Sequence, residues 1–110
     1  PENYHVPNGL LSKVDIADYC DQYEAKIEVL GGIDLQVLGI GGNGHIGFNE
    51  SGSLQNSKTR LVALDHITRV AASGDFSGLE NTPRTAITLG VKKDVPLFVL
   101  TNHLSFSFLT

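Results

Sequence analysis

Between Gly31 and Gly52 the chain places eight of its twelve glycines, and among them stand Asn43, His45, Asn49 and Glu50. Glycine without a Cβ loses more freedom on folding than any other residue and weakens helix and strand interiors, so a run this dense must be loop. Immediately before it lies an apolar run, Ile33 to Ile40 (IDLQVLGI), of the kind that forms a buried strand in a parallel sheet. Ligands of open α/β sheets sit beyond the carboxyl ends of the strands. The polar residues of this chain are therefore concentrated where an α/β fold binds things.

The flanking segments fit that frame. Ile16, Tyr19, Cys20, Tyr23, Ile27 and Leu30 recur at three- and four-residue steps and predict a helix. Asp15 is its expected N-cap, Gly31-Gly32 its stop, and Asp18, Asp21, Gln22, Glu24 and Glu28 its solvent face. Residues 1–13 read as loop and turn. Leu61 to Leu64, Arg84 to Val91 and Leu97 to Thr101 read as further strands, with a short helix or turn over Asp65 to Ser73. Alternating segments predict an α/β fold: a Rossmann-like, mostly parallel sheet with flanking helices, incomplete in this chain. Residues 1–91 form its ordinary part. Residues 92–110 read as an atypical apolar tail, with three of the five Phe in its last fifteen positions.

Composition excludes several classes. A formal charge of −4, from 8 basic and 12 acidic residues, offers no electrostatic footprint for nucleic acid or an anionic membrane. No apolar run approaches the roughly 20 residues of a membrane span. The single Cys20 excludes a disulfide framework, and neither His66 nor His103 has neighbours that suggest a metal. No basic-then-apolar leader opens the chain, so the expected address is cytoplasmic. Pro1 and the absence of methionine predict a processed or internal segment.

Within the loop, an imidazole five residues before a carboxylate supplies a titratable acid–base and a group to orient it. Gly41, Gly42 and Gly44 let backbone approach a ligand closely. A dinucleotide site is the rival, because Gly39, Gly41 and Gly44 match G-x-G-x-x-G. That site requires a helix to start at the glycines, and HIGFNESGSLQNSK has no apolar period of 3.6.

The loop G-I-G-G-N-G-H-I-G-F-N-E resembles the signature of the glucosamine-6-phosphate deaminase (isomerase) family. The similarity extends from about Asn3 to Val91 and takes in the D-x-x-x-x-C-x-x-Y-E-x-K-I helix from Asp15 to Ile27, Thr59-Arg60, Thr68-Arg69 and P-R-T-A-I-T-L-G-V from Pro83. It resembles the middle of a chain more than twice as long. The resemblance implies conversion of glucosamine 6-phosphate and water into fructose 6-phosphate and ammonia, with no cofactor and no metal. It implies a small amino sugar phosphate as partner, and oligomers are frequent in the family. His45 matches the histidine that opens the sugar ring, Glu50 its carboxylate partner, and Asn43 a position held by Asp or Asn. Gly41, Gly42 and Gly44 match the backbone that lines the sugar. Ser53 and Arg60 match two positions of allosteric activation, but Val62 stands where a third, a lysine, is expected. The family's proton-shuttling aspartate and phosphate-binding loop match nothing here, so the 110 residues alone are expected to be inactive. A non-catalytic remnant is the alternative reading. A 6-phosphogluconolactonase-like hydrolase is disfavoured, because Ile46-Gly47-Phe48-Asn49-Glu50 replaces that family's T-x-S-L-F-P.

Overall fold

In the computed structural model, residues 2–91 and 95–100 are described. The elements run α1 (Lys13–Val29), β1 (Gln36–Gly39), β2 (Arg60–Ala63), α2 (His66–Ala72), two 3-10 turns (Ser73–Phe76 and Leu79–Asn81), β3 (Thr85–Thr88) and β4 (Leu97–Leu100). The architecture is mixed helix and strand. β1 pairs parallel with β4, and β2 pairs antiparallel with β3 in the register Arg60↔Thr88 to Ala63↔Thr85. Each sheet is two-stranded among the described residues, one parallel and one antiparallel. The mostly parallel sheet expected from sequence is thus not what these strands form. Of the tail at 92–110, 97–100 supply β4; 92–94 and 101–110, with His103, lie outside the described residues.

α1 begins three residues earlier than its apolar period suggested. Ser12 is its N-cap and Asp15, the expected cap, lies inside the first turn, where its carboxylate accepts from Ser12 Oγ at 2.6 Å. At the other end Gly31 and Gly32 stand at φ +98° and +89°. Gly31 N donates to Glu28 O and Gly32 N to Ile27 O, the two reverse bonds of a Schellman motif, as the glycine pair predicted.

Among the described residues a core cluster forms from Ile16, Cys20 and Ile87, with Leu11, Tyr19 and Leu61 packed around it. It joins α1 to the β2–β3 pair. The two tyrosines tie the N-terminal loop to the helix, Tyr23 Oη donating to His5 O at 2.9 Å and Tyr19 Oη accepting from Asn8 N at 2.9 Å. β1 is less buried than its composition predicted: Leu35, Val37 and Ile40 are exposed. The reason is that, among the described elements, β1 packs on β4 alone. Gln36 is its buried residue and reaches Gly90 O, beyond the end of β3.

A second correction concerns Glu24, which helical spacing put on the solvent face. It is 6% exposed. Its Oε1 accepts from Thr59 N and Thr59 Oγ1, both at 2.7 Å, and so fastens α1 to the residue that precedes β2. Thr59 is itself buried. A carboxylate cannot remain in such a place unless hydrogen-bonded, which is why the helix tolerates it. Among the described residues, no helix is long and apolar enough to cross a membrane.

Glu24→Ala strands the buried amide and hydroxyl of Thr59, and should destabilise the chain by about 2–3 kcal/mol in urea unfolding. A loss under about 0.5 kcal/mol would show that the clamp contributes nothing. Burial, with lesser help from Asp21 and Glu24, raises the Cys20 thiol above its ordinary 9.0. Burial and then Tyr19 raise Tyr23 above 10.0. The folded chain holds both protons more tightly than the unfolded one, so their contribution is complete below about pH 9. It is lost as pH climbs through the raised values. Urea midpoints should therefore fall above that point; a midpoint rising with pH would contradict the burial of both groups.

Candidate active site

The chain leaves β1 at Gly39 and doubles back at once. Ile40 pairs antiparallel with Ile46, Gly44 N donates to Gly41 O at 2.9 Å, Gly41 N to His45 O at 2.8 Å and Gly47 N to Gly39 O at 3.0 Å. The result is a tight turn over Gly41–Gly44 with His45 on its returning limb. Gly44 sits at φ +85°, where a side chain would be strained. At Gly41 the requirement is steric instead: a Cβ there would overlap the His45 imidazole. The Gly41 and Gly44 amides are both occupied within the turn.

Asn49 secures the far end of this loop. Its Nδ2 donates to Ile46 O and to Leu89 O, each at 3.0 Å, and its Oδ1 accepts from Arg60 Nη1 at 3.0 Å. Phe48 N adds a bond to Thr88 Oγ1 at 3.3 Å. The loop is thereby pinned to the C-terminal end of β3 and the start of β2. Sequence reading noted Asn49 without assigning it work, because all its partners except Ile46 are distant in sequence.

Asn43, His45 and Glu50 come together. His45 and Glu50 are mostly buried, their side chains 13% and 16% exposed, with Nδ1 3.6 Å from Glu50 Oε2. Asn43 Oδ1 lies against His45 Nδ1, and Asn43 Nδ2 donates to Glu50 Oε2 at 3.1 Å. The other oxygen of Glu50 is held from α2: Thr68 Oγ1 donates to Oε1 at 2.6 Å, and Asp65 N at 3.2 Å. Thr68 Oγ1 is also 3.2 Å from His45 Nδ1. Asp65 caps α2 by accepting from Ile67 N at 3.1 Å. Thr68 is a residue the chemistry-led reading did not assign; the capping Asp three residues before it was its sequence signal, and that marks a helix start rather than a site.

Glu50 also lines an open cleft of about 400 Å³, with Phe48, Ser53, Ser57, Arg60 and Val62. His45 does not border this cleft. Arg60 Nη2 donates to Ser53 Oγ at 3.1 Å, so the two residues matched to activation lie in contact on its wall. Gly42 stands exposed at the tip of the turn. Among the described residues, no three His, Cys, Asp or Glu side chains converge as a metal cage.

In this mixed helix–strand fold the glycine-rich loop presents a mostly buried imidazole to a carboxylate, a pairing of the kind that acid–base chemistry uses. No family model matches the chain. It is 50% identical over 90 residues to a glucosamine-6-phosphate deaminase-like protein of Bacteroides thetaiotaomicron, covering 82% of this chain and 14% of that protein. It is 46% identical over 91 residues to the glucosamine-6-phosphate deaminase of Oceanobacillus iheyensis, covering 83% of this chain and 36% of that one. It superposes with a TM-score of 0.77 and 37% identity on a monomeric glucosamine-6-phosphate deaminase, covering 88% of this chain and 42% of that one. Over the matched stretch this chain is a homologue of the glucosamine-6-phosphate deaminases. It spans less than half the length of these relatives.

Gly41→Ala should drive the imidazole out of its place between Asn43 and Thr68 while changing stability by about 1 kcal/mol or less. Nuclear Overhauser contacts between the His45 ring and the Thr68 side chain report this directly. They are expected in the unmodified chain and lost in the variant; their survival would mean that the ring does not need the glycine.

Proposed function

We propose that this chain carries the ring-opening part of a glucosamine-6-phosphate deaminase. The proposed reaction takes glucosamine 6-phosphate and water to fructose 6-phosphate and ammonia. The observation that carries the proposal is the convergence of Asn43, His45 and Glu50 in one hydrogen-bonded cluster on a loop whose relatives bear that name. Opening a pyranose requires a proton to leave the anomeric hydroxyl and another to reach the ring oxygen. An imidazole can do both near neutral pH. Glu50, mostly buried beside it, stabilises the imidazolium formed in between. Asn43 fixes the ring through its amide oxygen and steadies the carboxylate with its amide nitrogen. Gly41, Gly42 and Gly44 shape the turn on which the sugar rests.

In this reading Ser53 and Arg60 form a polar corner near the site, and Val62 deprives it of a second cation. The parallel β1–β4 pair belongs to a Rossmann-like sheet completed by other parts of a longer polypeptide. Phosphate binding and the proton shuttle between C2 and C1 reside there too. The 110 residues alone accordingly do not turn over, and the enzyme is a cytoplasmic hydrolase. Since one relative is a monomeric deaminase, assembly is not a prerequisite for this chemistry.

The test measures ammonia release from glucosamine 6-phosphate. One sample is the 110-residue chain. The other is a chimera in which residues 2–91 replace the matched stretch of the Oceanobacillus iheyensis deaminase. Activity is expected in the chimera alone, and His45→Ala should lower its kcat by about 10²- to 10⁴-fold, the worth of a general acid–base. Undiminished activity in His45→Ala would remove the histidine from the reaction.

A further inference from the structure

Thr68 lies in α2, 18 residues beyond Glu50 and outside the glycine-rich loop, yet it is 5% exposed and its hydroxyl faces the centre of the cluster. A threonine within a helix ordinarily returns its hydroxyl to a carbonyl of the preceding turn. This one spends its proton on Glu50 Oε1, at 2.6 Å.

That choice has a consequence for His45. A carboxylate only accepts, so each group that faces Glu50 must donate to it. Thr68 has a single hydroxyl proton, and with that proton committed to Glu50 its oxygen turns lone pairs toward His45 Nδ1, 3.2 Å away. Asn43 is oriented by the same carboxylate: its Nδ2 faces Glu50 Oε2, which leaves Oδ1 against Nδ1. Glu50 Oε2 is the third acceptor on that side, at 3.6 Å. Every group around Nδ1 is an acceptor, and an imidazole nitrogen in that company carries the hydrogen.

We infer that Thr68 is a positioning residue that, through Glu50, holds His45 as the Nδ1–H tautomer and leaves Nε2 as the nitrogen that takes up and releases the proton. Its consequence for turnover rests on the deaminase reading above. The tautomer itself rests on the hydrogen-bond network alone.

Two variants separate the hydroxyl from the volume it occupies: Thr68→Val keeps the shape and loses the donor, and Thr68→Ser keeps the donor. Long-range proton–nitrogen correlation spectra of the 110-residue chain, at a pH where the ring is neutral, identify the protonated nitrogen of His45. The Nδ1–H form is expected to dominate by about ten to one in the unmodified chain and in Thr68→Ser, and to give way to a mixture in Thr68→Val. In the chimera, Thr68→Val should lower kcat about 10- to 100-fold with KM changed less than about threefold, while Thr68→Ser stays within about threefold of the parent. An unaltered tautomer in Thr68→Val would overturn the inference, as would a Thr68→Ser variant that shifts like Thr68→Val. A parent chimera that releases no ammonia would sink the deaminase reading, and the nitrogen spectra would still decide the role of Thr68.

Discussion

The carboxylate of Glu50 holds the site together. It takes hydrogen bonds from the Thr68 hydroxyl and the Asp65 amide on one oxygen and from the Asn43 amide on the other. These donors come from two parts of the chain, the glycine-rich turn and the start of α2. A mostly buried carboxylate is stable only with such a set, because the water it gives up must be replaced group for group. Satisfying Glu50 therefore does more than place one side chain. It fixes the distance between the loop and α2, and it orients the two neighbours that surround the His45 nitrogen.

The loop could not serve this purpose if it were free to move. Asn49 prevents that by bonding within the loop, to Leu89 O past β3 and to Arg60 at the start of β2. Arg60 in turn follows Thr59, which Glu24 clamps to α1. A chain of hydrogen bonds thus runs from the helix through β2 to the loop. α2 has its own support, since Arg69 donates to the carbonyls of Pro83, Leu79 and Thr82. Beside the core cluster of Ile16, Cys20 and Ile87 among the described residues, polar ties of this kind help to hold the loops in register.

What could be read from the sequence was whatever depends on local spacing. The α1 stripe, its Gly31-Gly32 stop and the strand-then-glycine loop each follow from a few adjacent residues, and the structure has them. Asn43, His45 and Glu50 were legible as candidates because they lie within eight positions of one another. Partners set by tertiary approach were not. Helical spacing put Glu24 in solvent, since nothing local reveals that Thr59 comes to meet it. The apolar composition of 33–40 predicted burial, but exposure depends on what covers a strand, and β1 packs on β4 alone among the described elements. Nor does an apolar pattern carry direction, so the antiparallel pairing of β2 with β3 had no signature.

Glu24 and Glu50 show the same physical device put to two ends. Each is a carboxylate withdrawn from water, each accepts from a threonine hydroxyl and a backbone amide on a distant element, and each thereby joins two elements. At Glu24, Thr59 donates through both its amide and its hydroxyl, and the effect is to hold. Glu50 has an imidazole within reach as well. The imidazole beside it has a ring nitrogen that can carry or give up a proton, so the carboxylate and its donors also bear on where that proton sits. Sequence composition makes the two glutamates alike; the histidine 3.6 Å from Glu50 is what sets its surroundings apart.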